Sequence, residues 1–201
     1  MLFAAIFSPL SLLLFLLAGV LAYFFLGGFI WGAGFQPTPR SEVEKAGEML
    51  GLKDGMVVYD LGSGFGEVVI QLAKKYPIRC VGVEIDPLKS WWSKQLVKRN
   101  HLEDRIEIVK KNLLEVDLSR ADAIFVFLSG GTKIMEELKK KIFAEMKSGT
   151  KIVSYAHKFG DDWLPSQEIG DLRLYKFKRE HDIAADSESK GPENSSLQSA
   201  S

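Results

Sequence analysis

The sequence predicts an α/β fold: an open, doubly wound, mostly parallel sheet with an antiparallel C-terminal edge strand, preceded by one transmembrane helix. Three observations carry this. From Ser41 onward, short apolar runs rich in β-branched residues alternate with segments of helical period, the pattern of a parallel sheet covered on both faces. The run Val57–Leu61 passes directly into Gly62, Gly64 and Gly66 and then into a helical segment, so a buried strand feeds a tight turn. Leu10–Ile30 is almost continuously apolar, and no charged side chain occurs from Leu2 to Pro39.

Taken in order, the N-terminal segment is long enough at 1.5 Å per residue to cross about 30 Å of hydrocarbon. A cleavable signal peptide is the competing reading, but the basic n-region and the short apolar core it requires are missing. Every lysine and arginine lies after this segment, starting at Arg40. The positive-inside rule then expects a single-pass membrane protein with its C-terminal domain in the cytoplasm. Residues 1–34 are thus read as an anchor in contact with the lipid bilayer. Residues 35–40, F-Q-P-T-P-R, form a linker stiffened by two prolines.

Ser41 and Glu44 have the spacing of a capping box, which opens a helix through Val43, Ala46 and Leu50, closed by Gly51. Strand one and the glycine turn follow, then a helix over Glu67–Tyr76. Strand two is Cys80–Ile85, after which Asp86 caps a helix with Pro87 at its first position and its end near Asn100. Strands three and four are Ile106–Lys110 and the wholly apolar Ala123–Leu128, and a helix over Thr132–Met146 leads to strand five, Lys151–Tyr155. Gln167–Ile169 and Leu172–Lys178 read as a hairpin turning at Gly170-Asp171. In the tail, residues 180–201, Glu180, Asp182, Asp186, Glu188 and Glu193 stand against Lys190 alone with no apolar period, the composition of a disordered segment. Cys80 is the only cysteine, which excludes a cysteine metal cluster and suits a small buried strand residue. No metal is expected.

The chemistry concentrates at the strand tips. The glycine turn sits where a strand ends and a helix begins, so backbone amides and the positive end of the helix dipole face its ligand. A dinucleotide fingerprint needs its third glycine one position later, where this chain has Glu67. The pattern is instead D-x-G-x-G-x-G, with Asp60 ahead of the first glycine, and an acid there suits a ligand that carries an amino group. Glu84 lies about twenty residues beyond the turn, the place of an acid that reaches ribose hydroxyls.

This pattern resembles the nucleotide-binding loop of class I S-adenosylmethionine-dependent methyltransferases, whose fold is Rossmann-like. More narrowly, P-T-P-R ahead of V-V-Y-D-L-G-S-G, V-G-V-E-I-D-P-L with Trp91-Trp92 in the next helix, and N-L-L-E-V-D-L-S before an apolar fourth strand are similar to a small lysine methyltransferase family. That family includes archaeal protein lysine methyltransferases and the mitochondrial enzymes acting on the ATP synthase c-subunit and the adenine nucleotide translocase. The resemblance covers residues 35–179, read as the methyltransferase domain from residue 41. It implies S-adenosyl-L-methionine as cofactor, bound by Thr38, Tyr59, Asp60, Gly62, Ser63, Gly64, Gly66, Glu84, Ile85, Asn112 and Leu113. Asn112 is equally readable as a residue capping its own turn, and Thr38 and Arg40 as linker and helix start. Where the family commonly has D-G-R, this chain has Phe65-Gly66-Glu67.

Methyl transfer to an amine needs in-line positioning and a deprotonated nucleophile. Phe127, Leu128 and Ser129, at the tip of strand four, are where a narrow apolar acceptor channel would meet the methyl group. His157, after strand five, is either a general base or a hydrogen-bonded structural histidine. Of Trp91 and Trp92, one is expected to pack and the other to line the cleft. Strand four lacks the N-P-P-Y signature of methyltransferases acting on nucleobase amines and glutamine amides, so no nucleic-acid partner is expected. The expected substrate is a protein lysine near the membrane. Two alternatives keep the fold: a small-molecule or lipid methyltransferase, and a non-catalytic tethered binding module that has lost the cofactor through Phe65 and Glu67.

Overall fold

The computed structural model describes residues 8–30, 36–128 and 131–179, with the side chains of residues 24–30, 131 and 132 left aside. The predicted linker start at Phe35, the predicted site residue Ser129 and the acidic tail lie outside the described residues.

Helix α1 is Pro9–Ile30 and α2 is Arg40–Leu50. Then β1 (Val57–Leu61), α3 (Glu67–Lys75), β2 (Arg79–Glu84), α4 (Pro87–Arg99) and β3 (Ile106–Lys110) alternate. They are followed by β4 (Ala123–Val126), α5 (Gly131–Glu145), β5 (Lys151–Tyr155), β6 (Gln167–Ile169) and β7 (Leu172–Lys176). The seven strands form one sheet in the order β3-β2-β1-β4-β5-β7-β6. The first five are parallel, and β7 runs antiparallel to β5 with Ile152 opposite Tyr175. The predicted hairpin forms at Gly170, but it is the short, exposed β6 that occupies the edge, with β7 one position inside it.

Strand alternation divides the core. Val58 of β1 faces the layer built by Val43, Ala46 and Leu50 of α2, Val69 and Leu72 of α3 and Val97 of α4. Tyr59 and Leu61 face the opposite layer, with Met135, Leu138 and Ile142 of α5 and with Phe159 and Tyr175. All four residues of β4 are fully buried, as expected of a central parallel strand covered on both faces. The order reverses between β1 and β4, and a cleft opens at the carboxyl ends of strands flanking such a switch point.

Helix ends follow local chemistry with one exception. Gly51 closes α2 in the left-handed conformation, and Asp86 Oδ1 accepts from the amides of Leu88 and Lys89 to cap α4. Ser41 does not cap α2. The helix starts a residue earlier, with Pro39 as N-cap and no side-chain hydrogen bond, because the Pro39 carbonyl accepts from Glu42 and Val43.

The expected membrane anchor is corrected. Among the described residues no helix is long and apolar enough to cross a membrane. At Tyr23 the helix turns a hydroxyl to the domain, where it donates to Asp86 Oδ1. Single-pass topology, bilayer contact and the cytoplasmic placement derived from them are therefore withdrawn.

Candidate functional site

The glycine turn is held from below by β2. The amides of Gly62 and Ser63 both donate to the Val83 carbonyl at 2.9 Å, and Gly66 closes the turn on the Ser63 carbonyl at 2.8 Å. Gly62, Gly64 and Gly66 all have positive φ, which side chains other than glycine's rarely adopt. Gly66 is doubly required, since a Cβ there would lie 2.2 Å from Ser93 Oγ of α4. Glu84, buried at the tip of β2, ties the turn to the next helix: Oε2 accepts from the Gly64 amide and Oε1 from the Asp86 amide, both at 2.8 Å.

A cleft of about 440 Å³ lies over this turn. Of the residues predicted to bind cofactor, Thr38, Asp60, Gly62, Ser63, Gly64, Glu84, Ile85, Asn112 and Leu113 line it. Tyr59 does not, because it points to the opposite face of β1 among the α5 layer. Gly66 does not either; it serves as the N-cap of α3. Asn112 Oδ1 accepts from the Leu114 amide at 3.0 Å, so its acceptor closes its own turn while the residue still lines the cleft. Arg40 is exposed outside the cleft.

Two polar atoms in the cleft are conspicuous. Asp60 is 2 % exposed and Ser63 7 % exposed, yet Asp60 Oδ2 and Ser63 Oγ have no hydrogen-bond partner. Burial first, and the neighbouring Glu84 charge second, push the Asp60 carboxyl up to about 8. Buried polar groups in folded proteins are nearly always paired, so these two atoms mark where a polar ligand sits. Cys80 is inert by comparison: burial pushes its thiol up to about 12.

The acceptor end is built from the tips of β4 and β5. Phe127 and Leu128 line the cleft, and the Phe127 carbonyl and the Leu128 side chain lie against Gly62. His157 does not line the cleft. Its ring lies nearly parallel to that of Phe127, with centroids 6.5 Å apart. Trp91 and Trp92 are exposed at 54 % and 43 %, and neither reaches the cleft. The buried face of α4 is instead Lys89, Ser90, Ser93 and Val97, small or flexible residues that let it approach the glycine turn.

Sequence reading missed Lys89, Lys111, Lys133 and Glu137, which also line the cleft. Lys89 is buried and pairs with Asp86 Oδ2 at 3.6 Å; the signal was its place three residues after the N-cap. Among the described residues no group of three or more His, Cys, Asp or Glu side chains could hold a metal ion.

Known proteins agree with this geometry. Residues 60–167 match the ANTKMT methyltransferase domain. The chain is 35 % identical to a protein-lysine N-methyltransferase of Saccharolobus islandicus (strain REY15A) over 67 % of its own length and 83 % of that protein. It is 28 % identical to a lysine N-methyltransferase of the ATP synthase c-subunit from Xenopus laevis over 68 % of its length, but spans only 58 % of that relative. Among solved structures, an RNA methyltransferase from Salinibacter ruber in complex with S-adenosyl-L-homocysteine superposes with a TM-score of 0.65. That likeness is 29 % identical and covers 71 % of this chain and 92 % of the other. The cofactor is S-adenosylmethionine. The glycine turn and the acids at two strand tips lie within the matched segment, and the chain belongs to the ANTKMT methyltransferase domain family of S-adenosylmethionine-dependent methyltransferases.

Proposed function

We propose that the chain N-methylates lysine side chains of a protein. The observation that supports this most directly is the likeness to the Saccharolobus islandicus protein-lysine N-methyltransferase, which runs through the cleft. The donor set fits the cofactor: Asp60 supplies an unpaired buried acceptor for an ammonium, and Glu84 has lone pairs left for ribose hydroxyls after accepting two amides. The Gly64 and Ser63 backbone approaches from below, and Ile85, Leu113 and Thr38 wall the cleft.

When bound, S-adenosylmethionine supplies a methyl group already activated on sulfur. The residues of the chain have the remaining tasks of aligning the amine, excluding water and keeping the nitrogen lone pair free. The apolar end at Phe127 and Leu128 serves the last two, because removal from water disfavours the ammonium form of a lysine. Holding nucleophile and methyl group in line accounts for several kcal/mol of barrier reduction. Held by the glycine turn, Asp60 and Glu84, the cofactor would supply the methyl carbon to the amine nitrogen and retain the electron pair of the broken C–S bond, and the surplus proton of the amine would leave to solvent.

The test is transfer of tritiated methyl from S-adenosylmethionine, by the full chain, to protein, lipid and RNA fractions of a cell extract. Expected is label in protein, located on lysine by mass spectrometry; label confined to lipid or RNA would overturn the reading. Separating the protein into membrane and supernatant fractions addresses the membrane-associated substrate expected from sequence. The ATP synthase c-subunit, after which the Xenopus laevis relative is called, is the first candidate. Glu84→Ala is expected to lower S-adenosylhomocysteine affinity at least tenfold in calorimetry, because a charge-assisted acceptor to the glycine turn is lost.

A further inference from the structure

Lys89 stands against two physical preferences at once. It is the third residue of α4, in the turn where unsatisfied amides and the helix dipole favour an acid over a cation. It is also only 9 % exposed, and a lysine so deeply buried is ordinarily paired. Its charge partner is Asp86 Oδ2, but at 3.6 Å the two stand beyond the reach of a hydrogen bond. Asp86 Oδ2 has no hydrogen-bond partner, and among the described residues no group accepts from Lys89 Nζ. Three donors of a buried ammonium are thus unspent.

The wall that Lys89 belongs to is the one that carries the acid of β2. Lys89 lines the cleft together with Gly64, Glu84 and Ile85. Asp86 is the joint between the two charges: its amide donates to Glu84 Oε1 at 2.8 Å, while its Oδ1 accepts from the amides of Leu88 and Lys89 and from the Tyr23 hydroxyl. With Oδ1 so crowded, Oδ2 holds the Lys89 head by charge alone. Glu84 and Lys89 are not ion-paired to each other among the described residues, so each faces the cleft with capacity to spare. An ionised Glu84 only accepts and a lysine ammonium only donates. A hydroxyl is the ligand group that suits both, since it gives one hydrogen bond and takes others.

We propose that Lys89 is a cofactor-binding residue that reads the ribose together with Glu84: a ribose hydroxyl donates to the Glu84 carboxylate and accepts from the Lys89 ammonium. The pair sets specificity for a ribonucleoside over its deoxy counterpart, because a ligand without that hydroxyl leaves a buried cation and a buried carboxylate unmet, the mismatch that polar sites reject most strongly. The cost of holding a lysine at the start of α4 is offset when the ligand arrives. This inference concerns the cofactor and is independent of which amine receives the methyl group.

The experiment is calorimetric titration of the full chain with S-adenosylhomocysteine and with its 2′-deoxy and 3′-deoxy analogues. In the parent chain at least one deoxy analogue is expected to bind about tenfold more weakly, or worse, than S-adenosylhomocysteine. In Lys89→Met that ratio is expected to shrink at least fivefold, while the affinity for the deoxy analogue itself stays within threefold of the parent value. A merely structural ion pair gives a different result, in which Lys89→Met weakens all three ligands by one common factor. That outcome would overturn the proposal, as would an unchanged ratio or a parent chain that binds all three ligands alike. Should urea unfolding show that Lys89→Met does not fold, Lys89→Gln carries the same measurement with a shorter, uncharged donor. Its ratio is expected to shrink at least twofold, and a ratio equal to the parent's would overturn the role of Lys89.

Discussion

Asp60 is a carboxylic acid buried to 2 % exposure. Its carboxyl is held up to about 8, whereas in an unfolded chain an aspartate titrates near 4, at about 3.9. Between those values the folded state binds more protons than the unfolded state, so this residue makes stability fall as pH rises across the window. Asp60→Asn removes the titration, and in urea unfolding at pH 8 the ligand-free variant is expected to be more stable than the parent chain, with a flatter pH profile. The same shift couples to cofactor. An ammonium beside Asp60 favours the ionised carboxylate, so S-adenosylhomocysteine binding at pH 7 is expected to release a proton, read as a dependence of calorimetric heat on buffer ionisation enthalpy. Asp60→Asn should abolish that dependence; its persistence would place the released proton elsewhere. Asp60 and Glu84 were legible in the sequence because a strand tip next to a glycine turn permits few roles. Lys89 and Glu137 were not, because nothing in a helical period says which of its polar residues will overlook a cleft.

Turns and helix packing set the precision of the site at the scale of the element. Gly66 combines φ +78 with a Cβ position 2.2 Å from Ser93 Oγ, so Gly66→Ala is expected to cost about 2 kcal/mol or more, from left-handed strain and overpacking. Ser93 Oγ has no hydrogen-bond partner, so Ser93→Ala alone should be nearly neutral. Combined with Gly66→Ala it should recover about 1 kcal/mol, measured as coupling in a double-mutant cycle of urea unfolding. Strict additivity would mean that α4 relaxes away from the turn. Ala156→Gly removes left-handed strain, φ +65, at the end of β5 and is expected to raise stability by up to about 1 kcal/mol, the glycine entropy cost taking part of the gain. The caps at Gly51 and Asp86 were readable because they are chemistry between neighbours in the chain. Trp91 and Trp92 were misread because a helix with small inward residues can lie close to its sheet, and hydrophobicity alone then names the wrong face.

For the whole molecule, α1 meets the sheet domain at Tyr23, whose hydroxyl donates to Asp86 Oδ1 and where burial and the carboxylate push the phenol up to about 12. Tyr23 is half-buried, and the bond is expected to contribute about 1 kcal/mol, the ordinary net value. A chain beginning at Gln36 is accordingly expected to unfold in urea within about 1 kcal/mol of the full chain; a larger loss would show that α1 belongs to the folding unit. The alternation of apolar strands with amphipathic helices determined by itself the parallel sheet, the glycine turn and the acids at the tips of β1 and β2, since each depends on spacing along one or two elements. The cofactor class followed from the family resemblance that these motifs carry. Tertiary structure alone decided that Tyr59 faces away from the cleft, that His157 stacks on Phe127 without reaching it, and that Asp60 keeps an unpaired oxygen. Those outcomes depend on how β1, β4 and β5 stand side by side, and a chain read in one dimension does not contain that distance.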